Sequence, residues 1–294
     1  MGRVSANGVE LEYQEWGSPA DPVLLLICGF SVQMTSWPEA LIEGLVKLSR
    51  RVIAFDNRDI GLSTELKGRS PAPMGDIVRA HLSGAPTRTL APYLLEDMAD
   101  DAVGLLDALG VQSADVFGTS MGGMIAQLMA LRHPNRVSRL MPVMTTSRAP
   151  DLPPADPDAQ AALTEAPVER TAETISEAAV RTRRAIGSID GVRDADDDVR
   201  QRAIKSFERS DRPNGVIRQY AAILAQPFWH ERLSEITAPT LVLHGAVDPL
   251  IKPACGEDVA RRIPGAVIEI FDGWGHDLPA AMVDPLVRRI GAFL

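Results

Sequence analysis

The strongest constraint on the fold of this chain is a set of short apolar runs that have no polar face. Val23 to Ile27 reads VLLLI and Arg51 to Phe55 reads RVIAF, each bounded by turn residues. A strand of this kind has no side to offer to water, so it belongs inside a parallel sheet with helices on both faces. Val9 to Trp16 instead alternates, as a half-exposed strand does. Between the two apolar runs Leu41, Leu45 and Leu48 recur at helical spacing, which makes a β-α-β unit. From Glu96 onward Met98, Ala102, Leu105, Leu106 and Leu109 share one helix face. Asp97, Asp100, Asp101 and Asp107 fall mostly elsewhere, and Gly110 closes the helix. Ala114 to Phe117 reads as the next strand, Met121 to Arg132 as a helix stopped by Pro134, and Val137 to Met144 as a further strand.

The strand and helix rhythm breaks near Thr145. Arg148 to Pro157 holds four prolines, and Val168 to Ile186, Asp196 to Phe207 and Gly215 to Ala225 then read as amphipathic helices with no strand between them. Strands return at Pro239 to His244 and Ala266 to Phe271, and a helix through Leu286, Val287, Ile290 and Leu294 ends the chain. The economical reading is a helical cap over 145–235 interrupting a core formed by 1–144 and 236–294. Glu65 to Pro92, with a short helix at Met74 to Leu82, reads as an elaborated loop and a possible wall of a binding site.

Composition narrows the class. At 294 residues, 45% hydrophobic and 23% charged, the chain is an ordinary folded protein. No run approaches the roughly 18 apolar residues of a membrane span, and Met1 to Glu10 has no basic segment followed by an apolar one, so a cytoplasmic, non-membrane protein is expected. A formal charge of −9 disfavours nucleic acid as a partner. Cys28 and Cys255 lie far apart and form neither a disulfide framework nor a metal motif.

Gly118-Thr119-Ser120-Met121-Gly122 is a G-x-S-x-G placed where a strand feeds into a helix. That junction suits the motif, because a tight strained turn exposes the serine at its tip and the helix N-terminus faces developing negative charge. A serine hydroxyl needs a base. Of five histidines, His133 sits at a helix end, His81 and His230 have no orienting partner in sequence, and His244 ends a strand before Gly245. His276 lies in Gly273-Trp274-Gly275-His276, a loop at the carboxyl edge of the last strand, where parallel sheets keep their reactive groups. Asp248 emerges at a carboxyl edge too, although Asp272, Asp277 and Asp284 are nearer to His276 in sequence. The order Ser120, Asp248, His276 is that of the α/β-hydrolases. Met121 N–H and, from the loop Cys28-Gly29-Phe30, Phe30 N–H are the expected oxyanion donors, with a core aromatic as the rival reading of Phe30.

These residues resemble the α/β-hydrolase superfamily along essentially the whole chain, with Asp56-Asn57-Arg58-Asp59-Ile60-Gly61-Leu62-Ser63 in place of D-x-R-G-x-G-x-S. Within it the stretch Tyr93 to Leu109 and the ending Gly273 to Pro279 are similar to bacterial esterases related to aclacinomycin methylesterase. The resemblance implies an α/β fold with a mostly parallel eight-stranded sheet, a helical cap inserted after the sixth strand, and no cofactor or metal. Two departures stand out: Cys28 where histidine is usual, and Asp59 where glycine is common, so that this turn is expected to be shaped differently.

The chemistry expected is hydrolysis of a small-molecule carboxylic ester through an acyl-enzyme. Few charged residues are expected to cluster near the motif loops, which favours a neutral apolar ester over a carboxylate or phosphate. Met34, Trp37, Met144, Phe228 and Trp229 are candidate pocket walls, each also a natural core residue. Lactone opening, C–C bond hydrolysis and perhydrolysis are alternatives with the same triad, and a ligand receptor on a hydrolase fold is an alternative of another class. Oligomeric state is not legible.

Overall fold

The computed structural model describes residues 1–165 and 167–294. The strands are β1 (Gly2–Ala6), β2 (Val9–Trp16), β3 (Val23–Ile27), β4 (Arg51–Phe55), β5 (Ala114–Thr119), β6 (Val137–Val143), β7 (Leu241–Gly245) and β8 (Val267–Phe271). They form one sheet in the order β1-β2-β4-β3-β5-β6-β7-β8. β1 and β2 pair antiparallel, β2 joins β4 antiparallel, and every later pairing is parallel. β1 has no counterpart in the sequence reading. Its signal was the Asn7-Gly8 pair, both at positive φ, a turn that folds two alternating strands into a hairpin.

The apolar runs behave as their composition requires. In β3, Leu25 and Ile27 join a cluster with Leu105 and Leu106 of α3 (Leu95–Ala108) and Ile125 and Met129 of α4 (Met121–Arg132). Leu24 and Leu26 join the opposite cluster with Leu41 and Leu45 of α1 (Glu39–Lys47) and Leu286 and Ile290 of α10 (Val283–Gly291). Both faces are therefore covered. α2 (Met74–Leu82) lies in the long loop before α3.

Between β6 and β7 stand four helices and no strand among the described residues: α5 (Pro157–Thr164), α6 (Ala172–Ile186), α7 (Asp196–Arg209) and α8 (Pro213–Ala225). α5 and α9 (Pro253–Arg262) were not anticipated, though each starts with proline in its first turn, a position that needs no N–H.

The chain crosses from β4 over β3 to reach β5, so β3 and β5 are neighbours whose following connections diverge. A crevice opens at such a switch point, bringing the loop after β3 against the turn after β5.

Contrary to the expected scarcity of charge near the motif loops, the segment after β4 is dense with buried ion pairs. Arg58 donates to Asp101 at 2.6 and 2.5 Å and lies 5.0 Å from the centre of the Tyr93 ring. Asp101 of α3 is thus a buried ion-pair partner. Asp56 pairs with Arg209 at 2.7 Å, and Asp59 takes two hydrogen bonds from Arg218 of α8 at 2.8 and 2.7 Å. The turn at Asp59 keeps the left-handed backbone that glycine favours, at φ 72°, a region aspartate tolerates better than most residues. Its carboxylate also accepts Leu66 N–H at 2.8 Å, and Asp59 O leaves no room for a side chain at Gly215, whose Cβ would come to 2.1 Å.

Removing one partner of a buried pair strands the other charge. Arg218→Met is expected to cost about 3–5 kcal/mol of unfolding free energy in urea titrations. The double variant Asp59→Gly with Arg218→Met should recover much of that loss, because it removes the stranded carboxylate and suits the positive φ; an equal or larger loss in the double variant would refute this account.

Candidate active site

Ser120 occupies the turn between β5 and α4 at φ 55° and ψ −121°, a conformation that costs of order 1–3 kcal/mol and needs its surroundings to hold it. Ser120 N–H donates to Val143 O at 2.9 Å, and Thr145 Oγ1 donates to Ser120 O at 2.7 Å. The glycines of the motif are required by contact. A Cβ at Gly118 would lie 2.2 Å from Gly122 O, and one at Gly122 would lie 2.1 Å from Ile27 O. The turn is therefore wedged between β3 and β6, and α4 behind it is buried from Met121 to Leu131.

His276 Nε2 is 2.9 Å from Ser120 Oγ, and its Nδ1 is 2.7 Å from Asp248 Oδ2. An ionised carboxylate only accepts, so Nδ1 carries the hydrogen and Nε2 turns a lone pair toward the serine hydroxyl. Asp248 is buried, and its other oxygen accepts Leu250 N–H and Ile251 N–H, both at 2.9 Å. Asp277, nearer in sequence, is committed elsewhere: it accepts from Ser188 Oγ at 2.6 Å and sits 3.7 Å from Arg183. The His276 loop is held by the segment after α6, through His276 N–H to Ile186 O at 2.7 Å and Gly275 N–H to Ser188 Oγ at 3.1 Å.

The loop after β3 passes beside the serine. A Cβ on Gly29 would fall 3.2 Å from Ser120 Cβ and 3.8 Å from its Oγ. Among the described residues neither Phe30 N–H nor Met121 N–H has a hydrogen-bond partner, so both remain free to donate. The Phe30 ring meanwhile packs on Tyr220 of α8, with centroids 5.8 Å apart. Gln219, which sequence reading missed, fixes this loop from the same helix. It is fully buried, accepts Ser31 N–H at 3.1 Å and donates to Arg58 O at 3.0 Å. Cys28 is a buried core residue whose thiol pKa burial pushes far up, and its carbonyl accepts Asn57 Nδ2 at 3.0 Å.

The anticipated pocket residues divide. Met34, Trp37 and Met144 lie in the cluster on the α1 and α10 face, Trp37 edge-on to Phe117 at 5.8 Å. Trp229 is buried in the opposite cluster and donates its indole N–H to Gln127 at 3.1 Å. These four are core side chains, placed there by the apolar area they remove from water. Phe228 lines a cavity of about 330 Å³. A second cavity, of about 280 Å³, lies between α6, α7 and α8 and the loop after β3, with Ser31, Ile60, Ile175, Phe207 and Val216 in its wall. No cluster of metal-ligating residues occurs among the described residues, and no helix is long and apolar enough to cross a membrane.

Residues 22–279 match the alpha/beta hydrolase fold family. The chain is 29% identical to the rhodomycin D methylesterase of Streptomyces peucetius over 98% of its own length and 96% of that protein. It is 30% identical to a 2-hydroxymuconate semialdehyde hydrolase of Pseudomonas sp. (strain CF600), over 92% and 86% of the two chains. In three dimensions it resembles the enol-lactonase of Burkholderia xenovorans LB400, with a TM-score of 0.74 at 21% identity over 99% of each chain.

His244 also reaches Asp248, with Nε2 3.6 Å from Oδ2 and 2.8 Å from Ile251 O, to which it donates. Burial pulls its pKa below the usual histidine value, and the His81 pKa is shifted the same way by the same cause. The folded chain therefore refuses a proton that the unfolded chain takes up near pH 6.5, so stability is complete above that value and declines as pH falls below it. The urea midpoint is expected to drop between pH 7.5 and pH 5.5, and His244→Gln to flatten that slope; an unchanged slope in the variant would count against it.

Proposed function

The chain belongs to the alpha/beta hydrolase fold family, and from that premise we propose that it is a serine hydrolase of small carboxylic esters. One observation carries the reading: the unbroken hydrogen-bonded path from Ser120 Oγ through His276 to Asp248. In this mechanism Ser120 Oγ attacks the ester carbonyl carbon while His276 Nε2 accepts its proton. Asp248 keeps the imidazole in the required tautomer and stabilises the cation that forms. The oxyanion of the tetrahedral intermediate receives hydrogen bonds from Met121 N–H and Phe30 N–H, with the amino end of α4 adding its positive dipole. His276 then protonates the departing alcohol. Water, deprotonated by the same nitrogen, attacks the acyl-serine, and the acid leaves with Ser120 restored.

Residues 145–235 act as a cap in this reading. Supporting it, Arg209, Arg218 and Gln219 of the inserted helices grip the segment 56–59 and the loop that carries Phe30. The cavity of about 280 Å³ bounded by Ser31, one residue past the proposed oxyanion donor, suits one arm of the ester. The methylesterase relative favours an ester with a small alcohol.

A series of p-nitrophenyl esters from acetate to octanoate, run on the wild type and on Ser120→Ala, tests chemistry and pocket together. The wild type should turn over continuously, and Ser120→Ala should lose about 10⁴-fold or more in kcat. Full activity in Ser120→Ala would end the triad assignment, and a stoichiometric burst without turnover would point to a ligand receptor.

A further inference from the structure

The cavity of about 330 Å³ lies on the β6 and β7 side of the triad, and the proposed ester chemistry leaves it without a role. Its wall is formed by the segment leaving β6 (Thr146 to Pro153), by Leu250 and Ile251, by the start of α9 at Cys255, by the end of α2, and by Phe228. Among the described residues no acidic side chain lines it. Most of the surface is hydrocarbon, from Pro150, Leu152, Pro153, Leu250, Ile251 and Phe228.

Arg148 is the one arginine or lysine in that wall. Its backbone holds φ 58°, a conformation L-residues seldom adopt, and Thr146 Oγ1 fixes it by accepting Arg148 N–H at 2.9 Å. One guanidinium nitrogen donates to Ile223 O of α8. No carboxylate lies within 4.0 Å of the others among the described residues. The sheltered Arg58, Arg209 and Arg218 instead each have an acid partner, while Arg212, at the other cavity, likewise donates to a carbonyl, that of Ser63. Burial draws the Arg148 pKa down to about 10, which leaves it charged at neutral pH. His81 stands in the same wall, its ring 4.3 Å from that of Phe228 and its buried Nε2 unpartnered among the described residues.

A sheltered cation without a counter-charge, facing an apolar cavity free of acids, is a receptor for an anion attached to hydrocarbon. We propose that this cavity binds a small organic carboxylate, the guanidinium of Arg148 taking the carboxylate and the proline, leucine and phenylalanine wall taking the hydrocarbon. Two sources share this chemistry. One is a carboxylate at the far end of the ester substrate, which would make the enzyme selective for half-esters and rests on the hydrolase reading. The other is a free acid bound beside the triad, which does not. The walls couple the cavity to the site in either case, because Leu250 and Ile251 hold Asp248 and Thr146 follows the residue that holds Ser120.

Calorimetry on the full-length Ser120→Ala protein with hexanoate, and with hexanamide as its neutral counterpart, tests the site without any turnover. Hexanoate should bind saturably and about tenfold or more tighter than the amide. Arg148→Gln should abolish that preference, and Arg148→Lys should retain part of it. Phe228→Ala, at a half-exposed position, should weaken hexanoate severalfold even if the Arg148 variants do not fold. Equal binding of acid and amide, or hexanoate binding undiminished by Arg148→Gln or by Phe228→Ala, would overturn the proposal. On the wild type, monomethyl esters of dicarboxylic acids of increasing length are compared with their dimethyl esters. A KM about tenfold lower for one half-ester, with competitive inhibition by hexanoate, assigns the site to the substrate. No half-ester preference, with non-competitive inhibition, assigns it to a free acid. Carboxylate binding without any ester turnover would keep this site and reject the hydrolase reading.

Discussion

Everything at the proposed catalytic centre depends on one constrained backbone turn. Ser120 sits at φ 55° and ψ −121° between a buried strand and a buried helix. The turn survives because its neighbours leave it no alternative. β6 accepts the serine N–H, Thr145 binds its carbonyl, and the two motif glycines admit backbone atoms so close that any side chain would collide. Strain of this size is small beside the apolar area that β3, β5 and α4 bury around it, so packing holds the turn in place. The geometry also presents the hydroxyl to His276 and leaves Met121 N–H, at the start of α4, without an acceptor among the described residues.

The second organising feature is electrostatic. The inserted helices attach to the sheet through charge pairs and amide contacts with the segment after β4: Arg209 to Asp56, Arg218 to Asp59, Gln219 to Arg58 and Ser31. These contacts lie next to the loop that carries Phe30. The position where glycine is common thus holds an aspartate for a reason visible only in three dimensions. Asp59 tolerates the left-handed turn and adds a bidentate anchor for α8. Asp59 keeps a left-handed φ of 72°, the region glycine favours, with its carboxylate held by Arg218.

Much of this was legible in the sequence. Continuous apolar runs announce strands buried on both faces, helical spacing places the helices between them, and a G-x-S-x-G at a strand-to-helix junction announces an exposed serine. These signals are local, each contained within about twenty residues. The misreadings had local causes too. The β1 hairpin was signalled by Asn7-Gly8 yet not read, and nothing local marks Asp101 as a buried ion-pair partner, because Arg58 lies 43 positions away. Met34, Trp37, Met144 and Trp229 are apolar residues near the motifs, and nothing in the sequence distinguishes a cavity wall from a core.

The sequence by itself determined the succession of strands and helices, and the order in which a serine, an acid and a histidine arrive at the carboxyl edge of a sheet. Only the tertiary structure decided which acid faces His276. Asp248 lies 28 positions from it and Asp277 is its neighbour, yet Asp277 is turned to Ser188 and Arg183. The same holds for charge. Sequence counts 30 cations against 39 anions, while the fold alone determines that Arg218 finds Asp59 and that Arg148 finds no acid among the described residues. The physical reason is common to all of these. Periodicity and turn chemistry act through the chain over a few residues, whereas a hydrogen bond or ion pair depends on distance in space, which only the closed sheet and its packed helices establish.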